Sequence, residues 1–115
     1  MPRQDLIQGK IQALDRMIAD LERNEKVMHR IGGHTIQNLG EEIAFQQARR
    51  DNLNWASTAA DIDIQQKIQQ LEAELTPDEL QCKYGSVRGL PLETIQTIAM
   101  IEDLEISIGT HPGVI

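Results

Sequence analysis

Aliphatic residues recur near the start of the chain at Ile7, Ile11, Leu14, Ile18 and Leu21, and after a polar step at Glu25 the series resumes at Met28. The steps alternate between four and three residues, the spacing of a helix that buries one stripe against another helix. With Ile11 at heptad position a, Leu14 falls at d, Ile18 at a, Leu21 at d, Glu25 at a and Met28 at d. A strand presents alternate residues to one face and cannot gather this series on one side. The seam therefore predicts a first helix over residues 3–31, with Pro2 at its tolerated opening position. Gly32-Gly33 closes it, because two glycines give up helix propensity and permit positive φ; His34 and Thr35 fall in or beside that turn.

A second seam reads Ile36, Leu39, Ile43, Gln46, Arg50, Leu53, Ser57, Ala60 and Ile64, then slips by one residue to Ile68, Leu71 and Leu75. Two successive steps of four around Ala60–Ile68 resemble a stutter, which locally unwinds a supercoil. Asn38 and Glu41 make a capping-box pair at its start. No glycine or proline lies between Glu41 and Thr76, which favours one continuous helix up to residue 75. A rival boundary sits near residue 57, where Thr58 and Asp61 form another capping-box pattern after Asn52, Asn54 and Ser57. Gln46 and Arg50 on the seam are costly to bury unless water or a polar partner reaches them.

Thr76-Pro77-Asp78-Glu79 places a cap, a proline at N1 and two acids in a first turn, predicting a short helix to Lys83 or Tyr84. Residues 85–89 read as a loop, and Pro91 opens a further helix. Its broad apolar face, Leu92, Ile95 and Ala99 with Ile98, Met100 and Ile101, suits a groove between other elements. Ile106-Ser107-Ile108 alternates, and the tail then turns Gly/Pro-rich before ending on Val114-Ile115. The expected fold is all-α: a long antiparallel, coiled-coil-like helical hairpin over 1–75 with its turn near 32–35. One or two short C-terminal helices over 76–106 pack at one end, and a flexible apolar tail covers 107–115.

The 115 residues fit one domain, and Phe45, Trp55 and Tyr84 are the only aromatic rings, so Ile, Leu, Ala and Met must fill the core. The formal charge is −7. Residues 1–35 hold 6 Lys/Arg against 5 Asp/Glu, whereas 36–75 hold 3 against 7 and 76–115 hold 2 against 6. An acidic surface repels phosphate backbones, and Arg49-Arg50 is too short a basic cluster to reverse this, so direct nucleic-acid binding is not expected. No stretch approaches a membrane span and no secretory leader is apparent. Cys82, the single cysteine, permits no intrachain disulfide, and a cytoplasmic location is expected.

No constellation has the spacing of a known chemistry. His29 and His34 are five apart across the Gly-Gly turn, and His111 lies in the tail, so no metal site is expected. Glu41-Glu42, Asp61/Asp63 and Glu72/Glu74 are adjacent or alternate on helices, where they point apart and read as solvated surface. Cys82 has no histidine neighbour in sequence, and Gly85–Gly89 lacks the Gly-Lys-Ser/Thr of a phosphate loop. Neither a catalytic residue nor a cofactor is expected. The sequence thus points to a non-enzymatic interaction or assembly protein, a scaffold or adaptor that self-associates as a homo-oligomer. Its expected interface comprises Ile7, Ile11, Leu14, Ile18, Leu21 and Met28, with Trp55, Ile64, Ile68, Leu71 and Leu75. Trp55 reads equally as a partner anchor or as bundle packing. A protein partner could also use the acidic surface or the tail, adding as a strand to a sheet edge. The alternative is a small acidic inhibitor of phage or bacterial type that occupies a cationic site on a target enzyme.

Overall fold

The aliphatic seam forms the buried stripe of α1 (Arg3–Arg23), the first helix of a computed structural model that describes residues 3–23, 29–31, 34–36 and 39–110. Four more helices follow: α2 (Leu39–Ala56), α3 (Asp61–Glu72), α4 (Pro77–Leu80) and α5 (Leu92–Ser107). Among the described residues the regular elements are helices apart from a short ribbon of two strands, β1 (His29–Ile31) and β2 (His34–Ile36), paired antiparallel. No helix among the described residues is long and apolar enough to cross a membrane.

Helix α1 ends at Arg23 and does not reach Ile31. His29–Ile31 pairs instead with His34–Ile36, in the register His29↔Ile36, Arg30↔Thr35 and Ile31↔His34. β-Branched Ile31, Thr35 and Ile36 lose rotamer freedom in a helix and suit a strand. His34 and Thr35, expected in a helix–helix turn, are strand residues. Glu25, Met28 and Gly32-Gly33 lie outside the described residues.

The second helical region is two helices, not one. At the break the Ser57 hydroxyl donates to the Asn54 carbonyl at 2.6 Å and that of Thr58 to the Trp55 carbonyl at 3.4 Å. Such local bonds compete with helix continuation. Ala60 is extended (φ −72, ψ 152) and stands as the N-cap of α3 without a side-chain cap bond, so the Thr58/Asp61 pattern is not the cap that is used.

α1 packs along α2, and α5 lies against both α2 and α3. Ile7, Ile11 and Leu14 cluster with Leu53 of α2. A second cluster joins Ala56, Ile64, Ile68, Leu71, Ile101 and Leu104 from α2, α3 and α5. Each fully buried Leu or Ile contributes about 1.5–3 kcal/mol, and Phe45 is the one ring among the buried hydrophobic residues described. Thr76 caps α4 through a complete capping box with Glu79. α5 runs through Ser107, so the alternation at Ile106–Ile108 is helical, and Ile108 packs on the core. Gly109 (φ +76) ends it: its N–H reaches the Ile106 carbonyl and that of Thr110 the Glu105 carbonyl. This pair of bonds is a Schellman motif, which glycine at the left-handed position makes inexpensive. Residues 111–115, the rest of the tail, lie outside the described residues.

Candidate functional site

Ala48, Asp51, Asn52 and Trp55 stand at i, i+3, i+4 and i+7 on α2 and therefore form one stripe along the helix. With Lys67 of α3 and Met100 of α5 they line an open groove of about 430 Å³. α2, α3 and α5 thus each supply part of its lining. Asn52 is buried and its amide donates to the Met100 carbonyl at 3.3 Å, which ties the α2 wall to α5. Trp55 is 41% exposed, so its indole is a wall of the groove and open to solvent at once.

Two charges of opposite sign line this groove. Asp51 is well exposed and accepts from Arg50 at 3.2 Å. Lys67, half-buried, makes no ion pair or hydrogen bond within the described chain. An ammonium on a partly apolar wall gains from an external carboxylate, because local dielectric screening is weaker there than in bulk water.

The remaining polar groups are tied to one another. Arg49 grips Asp103 with two parallel bonds, Nε to Oδ2 at 2.9 Å and Nη2 to Oδ1 at 3.0 Å. Lys10 approaches the same carboxylate at 3.5 Å. Gln46, the polar residue on the second seam, is buried and accepts from Arg49 Nη1 at 3.2 Å, so its burial is matched by a partner. Arg50 stays half-exposed between Asp15 and Asp51, which hold its guanidinium above its ordinary pKa. Both arginines of the Arg49-Arg50 pair are therefore engaged by carboxylates of the chain itself.

On the same C-terminal stretch of α5, Lys83 Nζ lies 3.3 Å from Glu105 and 2.9 Å from Glu72 of α3. The Tyr84 hydroxyl donates to Glu105 Oε2, and the Tyr84 N–H donates to Glu102 at 2.9 Å. Burial pushes the Lys83 ammonium down, but its bonds to Glu72, Tyr84 and Glu105 outweigh this and leave its pKa raised. Burial and the Glu105 bond both push the Tyr84 phenol up. Cys82 Sγ donates to the Asp78 carbonyl at 3.6 Å. No group of three or more metal-ligating side chains occurs among the described residues.

Of the residues expected at an interface, Ile7, Ile11, Leu14, Ile18, Leu21, Ile64, Ile68 and Leu71 are buried within the chain itself. Leu75 is half-buried against the second cluster, and Met28 lies outside the described residues. The described α1 seam residues thus pack inside the chain, and among the described residues of that set Trp55 stands in an open groove. Lys67 was not singled out by sequence reasoning, and Met100 was read only as part of the apolar face of α5. The spacing of Ala48, Asp51/Asn52 and Trp55 was readable as one helix face, but the walls from α3 and α5 depend on tertiary approach. No family model matches the chain, and no curated protein or solved structure does.

Proposed function

We propose that this chain is a non-enzymatic interaction protein that assembles through the Trp55 groove, with a second copy of itself as the first partner. One observation carries the reading: a half-exposed indole, 41% accessible, forms the wall of an open groove of about 430 Å³. A twofold interface requires a patch that is its own complement. Here the projecting ring and the receptive groove are adjacent, and the groove carries one carboxylate, Asp51, and one uncommitted ammonium, Lys67. Across a twofold axis each charge meets the opposite one on the partner. Tryptophan is the side chain most enriched where binding energy concentrates. In this reading α1 and α2 form an antiparallel hairpin whose seam is satisfied internally, and the Arg49 and Lys83 clusters serve as ties between helices.

Sedimentation velocity over a concentration series tests it. The wild-type chain is expected to dimerise, with a blue shift of emission from its only tryptophan. Trp55→Ala is expected to be monomeric with helicity retained. Asp51→Lys or Lys67→Asp alone should weaken the dimer, and the two together should restore it. A wild-type chain that stays monomeric up to its solubility limit overturns the reading.

Asp61, Asp63, Glu74 and Asp78 are all exposed along α3 and α4, which favours a second reading, an acidic inhibitor docking on a cationic site of an enzyme. Binding of that kind weakens steeply between low and moderate salt, whereas the Trp55 dimer, carried mainly by its apolar ring, should weaken much less.

A further inference from the structure

From Glu72 to Thr94 no residue is buried, although buried residues flank this stretch at Leu71 and Ile95. Within it α4 contributes no residue to the core, and neither hydrophobic cluster includes a side chain from 76–91. Apolar burial therefore does little to hold this segment down. Side-chain polar contacts do so instead. Lys83 bridges Glu72 of α3 and Glu105 of α5, Tyr84 reaches Glu102 and Glu105, and Glu79 accepts from Thr94 at 3.1 Å.

We propose that residues 76–91 form a strap that opens as a unit while the α1, α2, α3 and α5 body stays folded, and that the Glu105 carboxylate is its latch. Two features bring the closed and open forms close in free energy. Tyr84 sits at φ +68, a left-handed backbone conformation that is strained for a bulky side chain and persists only where its surroundings impose it. Its imposed contacts are the two glutamates of α5. Glu105 is 7% exposed, and its Oε1 is buried without a hydrogen-bond partner. An unmatched buried carboxylate oxygen is costly, and opening returns it to water. Closure thus stores strain at one residue and incomplete solvation at another, and opening relieves both. The body survives because its two apolar clusters have no member in the strap. Segments with few buried contacts open below the global unfolding free energy and do so as contiguous units. An open strap presents the Glu105 carboxylate, the Lys83 ammonium and the Tyr84 phenol together to solvent.

Native-state hydrogen exchange on the full chain tests the proposal. The amides of Leu80, Gln81, Cys82, Lys83, Tyr84 and Gly85, all hydrogen-bonded in the closed strap, should exchange through one shared opening, well before the amides of α5. Tyr84→Phe, which loses one charge-assisted bond, should raise the exchange of these six by about tenfold, and Glu105→Gln, which weakens both the Tyr84 and the Lys83 contacts, by at least as much; both should leave α2 and α5 amides unchanged. Tyr84 is half-exposed, so its variant carries the test should Glu105→Gln fail to fold. Exchange of strap amides only with those of α5 overturns the proposal. So does a latch substitution that leaves the strap amides unmoved, or one that speeds α2 and α5 equally.

Discussion

Arg49 and Asp103 meet in a two-bond fork across 54 positions of sequence, and the carboxylate is 3% exposed. Lys10 joins it from α1, so one carboxylate on α5 gathers cations from two other helices. Removing Asp103 leaves Arg49 without its carboxylate at a largely desolvated position. Asp103→Ala is expected to cost about 3 kcal/mol. Replacing both ends of the fork with apolar residues (Arg49→Met with Asp103→Leu) should recover most of that loss, because an apolar pair carries no desolvation penalty. Urea unfolding midpoints of the single and double variants check both statements.

Leu53 and Trp55 lie two residues apart on α2 and should respond oppositely. Leu53 is fully buried among Ile7, Ile11 and Leu14. Leu53→Ala is expected to destabilise the fold by about 2–5 kcal/mol through lost transfer energy and the cavity left behind. Trp55→Ala should change stability by less than about 1 kcal/mol, since much of the ring is already in water. Chemical unfolding of both variants, followed by circular dichroism, separates core from surface.

Ala60 offers a route to a more stable chain. It is the N-cap of α3, exposed and extended, and makes no side-chain cap bond to the first turn. Ala60→Asp or Ala60→Ser is expected to add about 0.5–2 kcal/mol. Asp61 and Asp63 already sit in that turn, so the serine should equal or exceed the aspartate. A thermal melt of each variant gives the answer.

Alkaline pH should loosen the strap. Lys83 and Tyr84 both hold their protons more tightly folded than unfolded. Their stabilisation is therefore complete below the ordinary tyrosine value of 10.0 and is lost as pH rises through the folded-state values. On the acid side the Thr76 backbone bond holds the Glu79 carboxyl below its ordinary 4.5, so the α4 cap is complete above that value and fails as pH falls beneath it. The only tyrosine titrates visibly in the near ultraviolet. Its midpoint should lie above 10.0 and move down in Glu105→Gln, which leaves burial but removes the anionic acceptor. A midpoint unmoved by that substitution contradicts the assigned cause.

Much of the helical plan was legible from local signals. The Ile7–Leu21 seam marked the buried face of α1, Thr76-Pro77 marked the start of α4, and Pro91 marked the start of α5. Other signals were present but outweighed. The first helix was extended to Ile31, although the β-branched Ile31, Thr35 and Ile36 on either side favour strands. The absence of glycine and proline favoured continuity at residue 57, where two hydroxyl side chains were enough to end the helix. Gly109 was a helix stop read as part of a loose tail. The groove and the polar ties were not readable, because Asp103 with Arg49, and Glu105 with Lys83, are brought together only by tertiary packing.

The carboxylate of Asp103 also sets a timetable for folding. Lys10 and Arg49 both reach this carboxylate, and α5 supplies Ile101 and Leu104 to a core begun by α2 and α3. During synthesis α1 and α2 emerge early, but Arg49 has no carboxylate to grip until α5 follows. A nascent chain halted before residue 92 therefore lacks one wall of its core and the anion at its centre, and native burial is completed only after translation has passed the last helix.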